Sequence, residues 1–176
     1  LALERQPFLD ATSGCVITAD VRLDNRAELL GALQITRPPE SVGDAELILA
    51  AYLKWGERCP ERLLGDFAFG VWDPRNQAIF AARDHFGIRP LYYYYAQAQR
   101  LLFASDARAI LVNPLVPYCI NEGRVAEFLV PELESSDYTS TLFEGIFRLA
   151  PGHTMTVTGD RSTVQEYWKP EPGPNL

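Results

Sequence analysis

Three cysteines, two histidines and a scatter of carboxylates and arginines are the side chains with chemistry to offer. Cys15 lies in a run of β-branched residues and its nitrogen is a peptide amide. It reads as a small core residue, not as a nucleophile. Cys59 beside Pro60 and Cys119 beside Ile120 read the same way, and three widely spaced thiols give no disulfide framework. His85 and His153 have no Cys or His at ligand spacing, so no zinc or iron site follows. Asp20 and Asp24 read as strand-end and turn carboxylates. Arg83, Asp84, His85 and Arg89 follow a strand and bend through Gly87, a pattern that predicts an ion-pair and hydrogen-bond network. No glycine-rich dinucleotide fingerprint or phosphate loop occurs.

The elements that must hold these residues are legible from periodicity. Residues 15–21 predict a mostly buried strand, and Asp24 or Asn25 a cap for a helix through Ala27, Leu29, Leu30 and Leu33. Pro38 and Pro39 mark a loop. Asp44 opens a second helix carrying Leu47, Ile48, Ala51, Tyr52 and Trp55, with Gly56 just beyond and a helical piece at residues 61–64. The period then shortens to two: residues 67–72 and 78–82 predict a hairpin around Pro74, and residues 91–95 and 101–104 a second pair around residues 97–100. The run Tyr92 to Tyr95 alternates across a sheet. Asp106 caps a short helix, another begins at Asn121, and residues 131–141 are polar loop. Strands follow at 154–158 and 164–168. Helices fall in blocks instead of alternating singly with strands, which predicts an α+β layered fold.

Composition narrows the function. A net charge of −7 and a pI near 4.8 repel phosphate backbones, so nucleic acid is excluded as a natural partner. No apolar run nears the length of a membrane span, and no basic segment precedes an apolar one as in a signal peptide, so the expected setting is a reducing cytoplasm with no membrane partner. An oligomer is compatible with the sequence. The chain opens without Met and reads as the middle of a longer protein, and its tail after Trp168, with three prolines and one glycine, as a linker or cut edge.

Residues 64–94, with the phrases GDFAFGVWD and ARDHFGIRPLYY, resemble the N-terminal glutaminase domain of the glutamine-dependent asparagine synthetase family. NRAEL at 25–29 and FRLAPGHTMTVTGDRSTVQEYW at 147–168 agree with it, so the resemblance covers nearly the whole chain. It implies an N-terminal-nucleophile hydrolase fold: a four-layer αββα sandwich of two antiparallel sheets. It also implies a glutaminase-type domain at 1–168 and a linker at 169–176 toward a C-terminal synthetase domain, which would use ATP and magnesium. In active members an N-terminal cysteine attacks the glutamine side-chain amide, with its own α-amine as base. That cysteine, and an arginine loop for the substrate carboxylate, would lie upstream of Leu1.

Site residues carry over unevenly. Gly43-Asp44 matches the dipeptide that recognises the α-amino group of glutamine, and a carboxylate is the right partner for an ammonium. Asp44 is equally a natural N-cap, so both roles stand. Where active members carry Asn-Gly-Glu at the oxyanion hole, this chain has Asp20 and Val21 within Ala19–Arg22. A carboxylate there has the wrong sign for a developing oxyanion, although a backbone N–H at Val21 can survive as one donor. Arg83, Asp84 and Arg89 fall on the loop that faces the synthetase domain in the family. Two functions follow: a glutaminase-type domain supplying ammonia, inactive as the chain stands, or a non-hydrolytic scaffold for an adjacent amide-forming synthetase, as in β-lactam-forming or peptide-cyclising relatives.

Overall fold

The computed structural model describes residues 5–96, 100–130 and 137–171. The strands are β1 (Phe8–Leu9), β2 (Val16–Leu23), β3 (Gly65–Asp73), β4 (Ala78–Arg83), β5 (Tyr92–Ala96), β6 (Arg100–Ala104), β7 (Ile146–Arg148), β8 (His153–Thr158) and β9 (Arg161–Glu166). The α-helices are α1 (Arg26–Ala32), α2 (Asp44–Trp55), α3 (Ala107–Leu111) and α4 (Glu122–Leu129), with 3-10 turns at Pro39–Ser41 and Gly56–Arg62. Two antiparallel sheets result, one ordered β1-β2-β3-β4-β8-β9 and one β6-β5-β7.

Period-two alternation sorts the side chains into three apolar interfaces. Phe67, Phe69 and Val71 of β3 and Phe80 of β4 project from one face of the large sheet onto Leu29 and Leu30 of α1 and Leu47, Ile48 and Tyr52 of α2. The intervening Ala68 and Ala81 project from the other face, with Met155 and Val157, onto Tyr93, Tyr95, Leu101 and Phe103 of the small sheet. Tyr92, Tyr94 and Leu102 point away from that interface onto Ala107 and Ile110 of α3. The layers are therefore helix, sheet, sheet, helix, the αββα order. Each buried phenylalanine contributes about 1.5–3 kcal/mol to this stack. Gly70 leaves room for the facing sheet: a Cβ there would sit 2.4 Å from the Phe103 ring.

The hairpin β3–β4, the pair β5–β6 and the two faces of the tyrosine run all follow the sequence pattern. Asp106 caps α3 by accepting from the Arg108 N–H, and Asn121 caps α4 by accepting from the Arg124 N–H. Other expectations need correction. β2 is not mostly buried: only alternate residues such as Ile17 and Leu23 reach the core, because it lies near the sheet edge. Neither Asp24 nor Asn25 caps α1 with its side chain. Asn25 instead accepts from the Leu64 N–H and donates to the Arg62 carbonyl, tying α1 to the start of β3. The helical piece at 61–64 is a 3-10 turn at Gly56–Arg62, and the last strand runs Arg161–Glu166, set by its ladder with β8. Cys119 is exposed, not core, since it lies in the connection between α3 and α4. The turn at 97–99 and loop residues 131–136 fall outside the described residues. Among those described, no helix is long and apolar enough to cross a membrane.

Candidate functional site

The expected site residues gather around one end of β2. Phe67 of β3 donates its N–H to Asp84 and accepts from the Asp84 N–H, so both its backbone groups point toward β4. In an antiparallel ladder this makes its partner across the ladder, Val21, a residue whose own backbone groups point away from β3. The same parity holds at Ala19 and Leu23. The Gln6 side-chain carboxamide closes a two-bond ring with Ala19, donating to its carbonyl at 2.7 Å and accepting from its N–H at 2.6 Å. The Leu23 N–H donates to Asp44 at 3.1 Å. Between a carboxamide and a carboxylate, the outward Val21 N–H has no partner among the described residues. It is an open backbone donor on the outer edge of the large sheet.

Asp44 does not cap its own helix. Gly43 takes the N-cap position without a side chain to offer, and the Asp44 carboxylate turns back toward β2. One oxygen takes the Leu23 N–H and the other pairs with the guanidinium of Arg26. The Asp44 side chain is 5% exposed and that of Arg26 is 30% exposed. Arg26 is anchored further by donating to the Pro39 and Val42 carbonyls at 3.0 and 2.7 Å. The two charges of the pair thus face each other within the chain. Arg26 was missed by sequence reasoning, although one signal was present. It sits in the first turn of α1, where the helix dipole disfavours a cation, and a cation in that position points to a specific acidic partner.

Asp20, one residue before Val21, projects from the opposite face of β2. Its carboxylate meets Arg89 at 3.4 Å. This leads into the loop after β4, where the expected network exists but is built differently. Arg83 and Asp84 are both buried, yet they are not ion-paired with each other. Asp84 accepts from the backbone N–H groups of Phe67, Phe86, Ile88 and Arg89 at 2.9–3.3 Å, holding the loop in shape as an internal anion. Arg83 donates to the carbonyls of Gly87, Arg89 and Leu149 at 2.6–2.8 Å. Backbone dipoles, not a counter-charge, solvate each. Burial, and next the charge of Arg148, push the Arg83 guanidinium below its usual pKa. Gly87, at φ +67°, lets the loop turn over the Arg83 guanidinium, 2.9 Å from where a Cβ would stand.

The remaining titratable groups are not poised for nucleophilic attack. Burial raises the thiols of Cys15 and Cys59, and a hydrogen bond to Glu144 raises that of Cys119, all moving away from thiolate. Burial lowers the pKa of His85, which packs edge-on against Phe67, Tyr167 and Trp168. Among the described residues, no three of His, Cys, Asp and Glu converge to hold a metal.

Two facing antiparallel sheets between helical layers make up the N-terminal-nucleophile amidotransferase fold. The glutamine phosphoribosylpyrophosphate amidotransferase of Bacillus subtilis shares it, with a TM-score of 0.60 over 93% of this chain and 32% of that one, at 13% identity. The chain belongs to the glutamine amidotransferase domain family, whose pattern matches residues 2–168. It is 33% identical over 132 residues to the asparagine synthetase [glutamine-hydrolyzing] 3 of Bacillus subtilis, covering 75% of this chain and 21% of that protein. It is 52% identical over 131 residues to a putative asparagine synthetase [glutamine-hydrolyzing] of Mycobacterium tuberculosis strain H37Rv, covering 73% of this chain and 20% of that protein. The matches thus span about a fifth of the length of these relatives.

Proposed function

We propose that this glutaminase-type domain does not hydrolyse glutamine and instead serves as a scaffold for an amide-forming synthetase domain. The observation that carries the reading is the Arg26–Asp44 pair. An aspartate that recognises a substrate ammonium does so best with an uncompensated carboxylate, and the Arg26 guanidinium paired with Asp44 weakens its pull on a second cation. Displacing the guanidinium would leave an arginine without its counter-charge. Asp20 adds to the case, since it lies in the segment where the resemblance implies the family's Asn-Gly-Glu run, and its carboxylate faces Arg89 at 3.4 Å. The loop shaped by Arg83, Asp84 and Arg89 is then the surface offered to the synthetase domain. That domain would take ATP and magnesium to activate a carboxylate, as expected of asparagine-synthetase-like proteins. A glutamine-hydrolysing reading retains one specific point in its favour, the open Val21 N–H, which is a donor of the type an oxyanion needs.

Titration with glutamine followed by 15N–1H NMR separates the two. The scaffold reading expects no saturable shift at Val21, Leu23 or Asp44 up to about 10 mM glutamine, a concentration at which any binding worth about −3 kcal/mol would register. Saturable binding at those residues, or ammonia released from glutamine above a matched blank, overturns it.

A further inference from the structure

A cavity of about 590 Å³ lies over the outer face of the small sheet. Its size falls in the range of small-molecule sites. Four charged side chains line it, and three are already served. Arg124 pairs with Glu127, and Asp137 accepts from the N–H groups of Thr139 and Ser140 and from the Thr139 hydroxyl. The fourth, Arg148 at the end of β7, forms no ion pair and donates no side-chain hydrogen bond among the described residues. Its guanidinium lies 5.4 Å from the centre of the Tyr92 ring, and its Nε is buried without an acceptor.

A buried guanidinium nitrogen left without an acceptor is a rare arrangement that calls for a ligand or another explanation. Arg148 is also not alone in its sign. The Arg83 guanidinium, solvated by the carbonyls of Gly87, Arg89 and Leu149, adds positive potential nearby. Much of the remaining wall is apolar or aromatic, including Phe128, Tyr138, Leu142 and Phe143, with Ser140 and Thr141 among them. Phe128 is 82% exposed, as expected of a side chain awaiting cover.

We propose that this cavity binds a small organic carboxylate with an apolar or aromatic body. The planar fork of Arg148 takes the two carboxylate oxygens, and the Phe128–Tyr138–Phe143 wall takes the body. The site is separate from the β2 edge, so it stands or falls independently of the scaffold reading.

Benzoate is the probe, and benzamide, of the same shape but neutral, is its control. NMR titration of the 176-residue chain should give saturable benzoate shifts at Tyr92, Phe143 and the Arg148 Nε–H. Benzamide should bind at least tenfold more weakly, and so should sulfate, which lacks the apolar body. Arg148→Met should weaken benzoate at least tenfold, while Arg148→Lys should weaken it several-fold and keep the preference over benzamide. Should Arg148→Met fail to fold, the wild-type and Arg148→Lys comparisons decide the matter alone. Absence of saturation, equal binding of benzamide or sulfate, or benzoate binding that survives Arg148→Met overturns the proposal.

Discussion

Replacing Arg26 by alanine isolates the energetic claim on which the site rests. The change strands the Asp44 carboxylate, whose side chain is 5% exposed, with only the Leu23 N–H for company. Breaking a buried pair from one side costs roughly 3–5 kcal/mol. The partial exposure of Arg26, which screens the pair, brings this to about 2–3 kcal/mol. Losing the donor to the Val42 carbonyl adds about 0.5–1 kcal/mol, giving a loss of about 3 kcal/mol in all. For a chain of this length the melting temperature should fall by about 6–12 °C. Asp44→Asn removes the charge yet keeps an acceptor for Leu23, so it should cost less. In the double variant the arginine no longer has an ion to leave behind, and urea unfolding of the four-member cycle should return a coupling of about 1–2 kcal/mol. If Arg26→Ala lies within about 0.5 kcal/mol of wild type, or the coupling is within about 0.3 kcal/mol of zero, the pair is not the lock described here.

Two further outcomes test the supporting structure. Asp73 has no exposed surface and is held far below the usual carboxylate range, first by hydrogen bonds from Arg75 and also by the Tyr52 hydroxyl. Because its folded pKa is depressed, its contribution is complete above the unfolded value of about 3.9 and is lost as pH falls below that, so Asp73→Asn should flatten the acid limb of a stability–pH profile. An unchanged acid limb would refute that assignment. Asp84→Ala leaves three loop N–H groups and that of Phe67 in β3 without their acceptor and should cost about 3 kcal/mol or more, with hydrogen exchange of the Phe86, Ile88 and Arg89 amides accelerating first. Unaltered protection of those amides would show that the loop does not depend on it.

The sequence by itself determined the strands of the β3–β4 hairpin and the two faces of the tyrosine run, because side chains in a strand alternate whatever the partner. Which layer each face meets, with Phe67, Phe69 and Phe80 toward α1 and α2 and Ala68 and Ala81 toward the small sheet, came from the packing of the two sheets. Caps such as Asp106 and Asn121 were equally legible, since they bond within three residues. The resemblance to asparagine synthetases added the family and the positions of Asp44 and Val21. Tertiary structure decided which partners those positions have. Asn25 looks like a cap and became a stitch to Arg62 and Leu64, because a distant strand start offered it better-placed partners. The Val21 N–H is open only because Asp84 claims both backbone groups of Phe67 and so fixes the parity of the β2–β3 ladder. Asp44, which the sequence offers as a cap, turns away from its own helix and pairs with Arg26, eighteen residues earlier in the chain. That pairing depends on where α1 comes to rest against α2, a packing outcome that local periodicity does not encode.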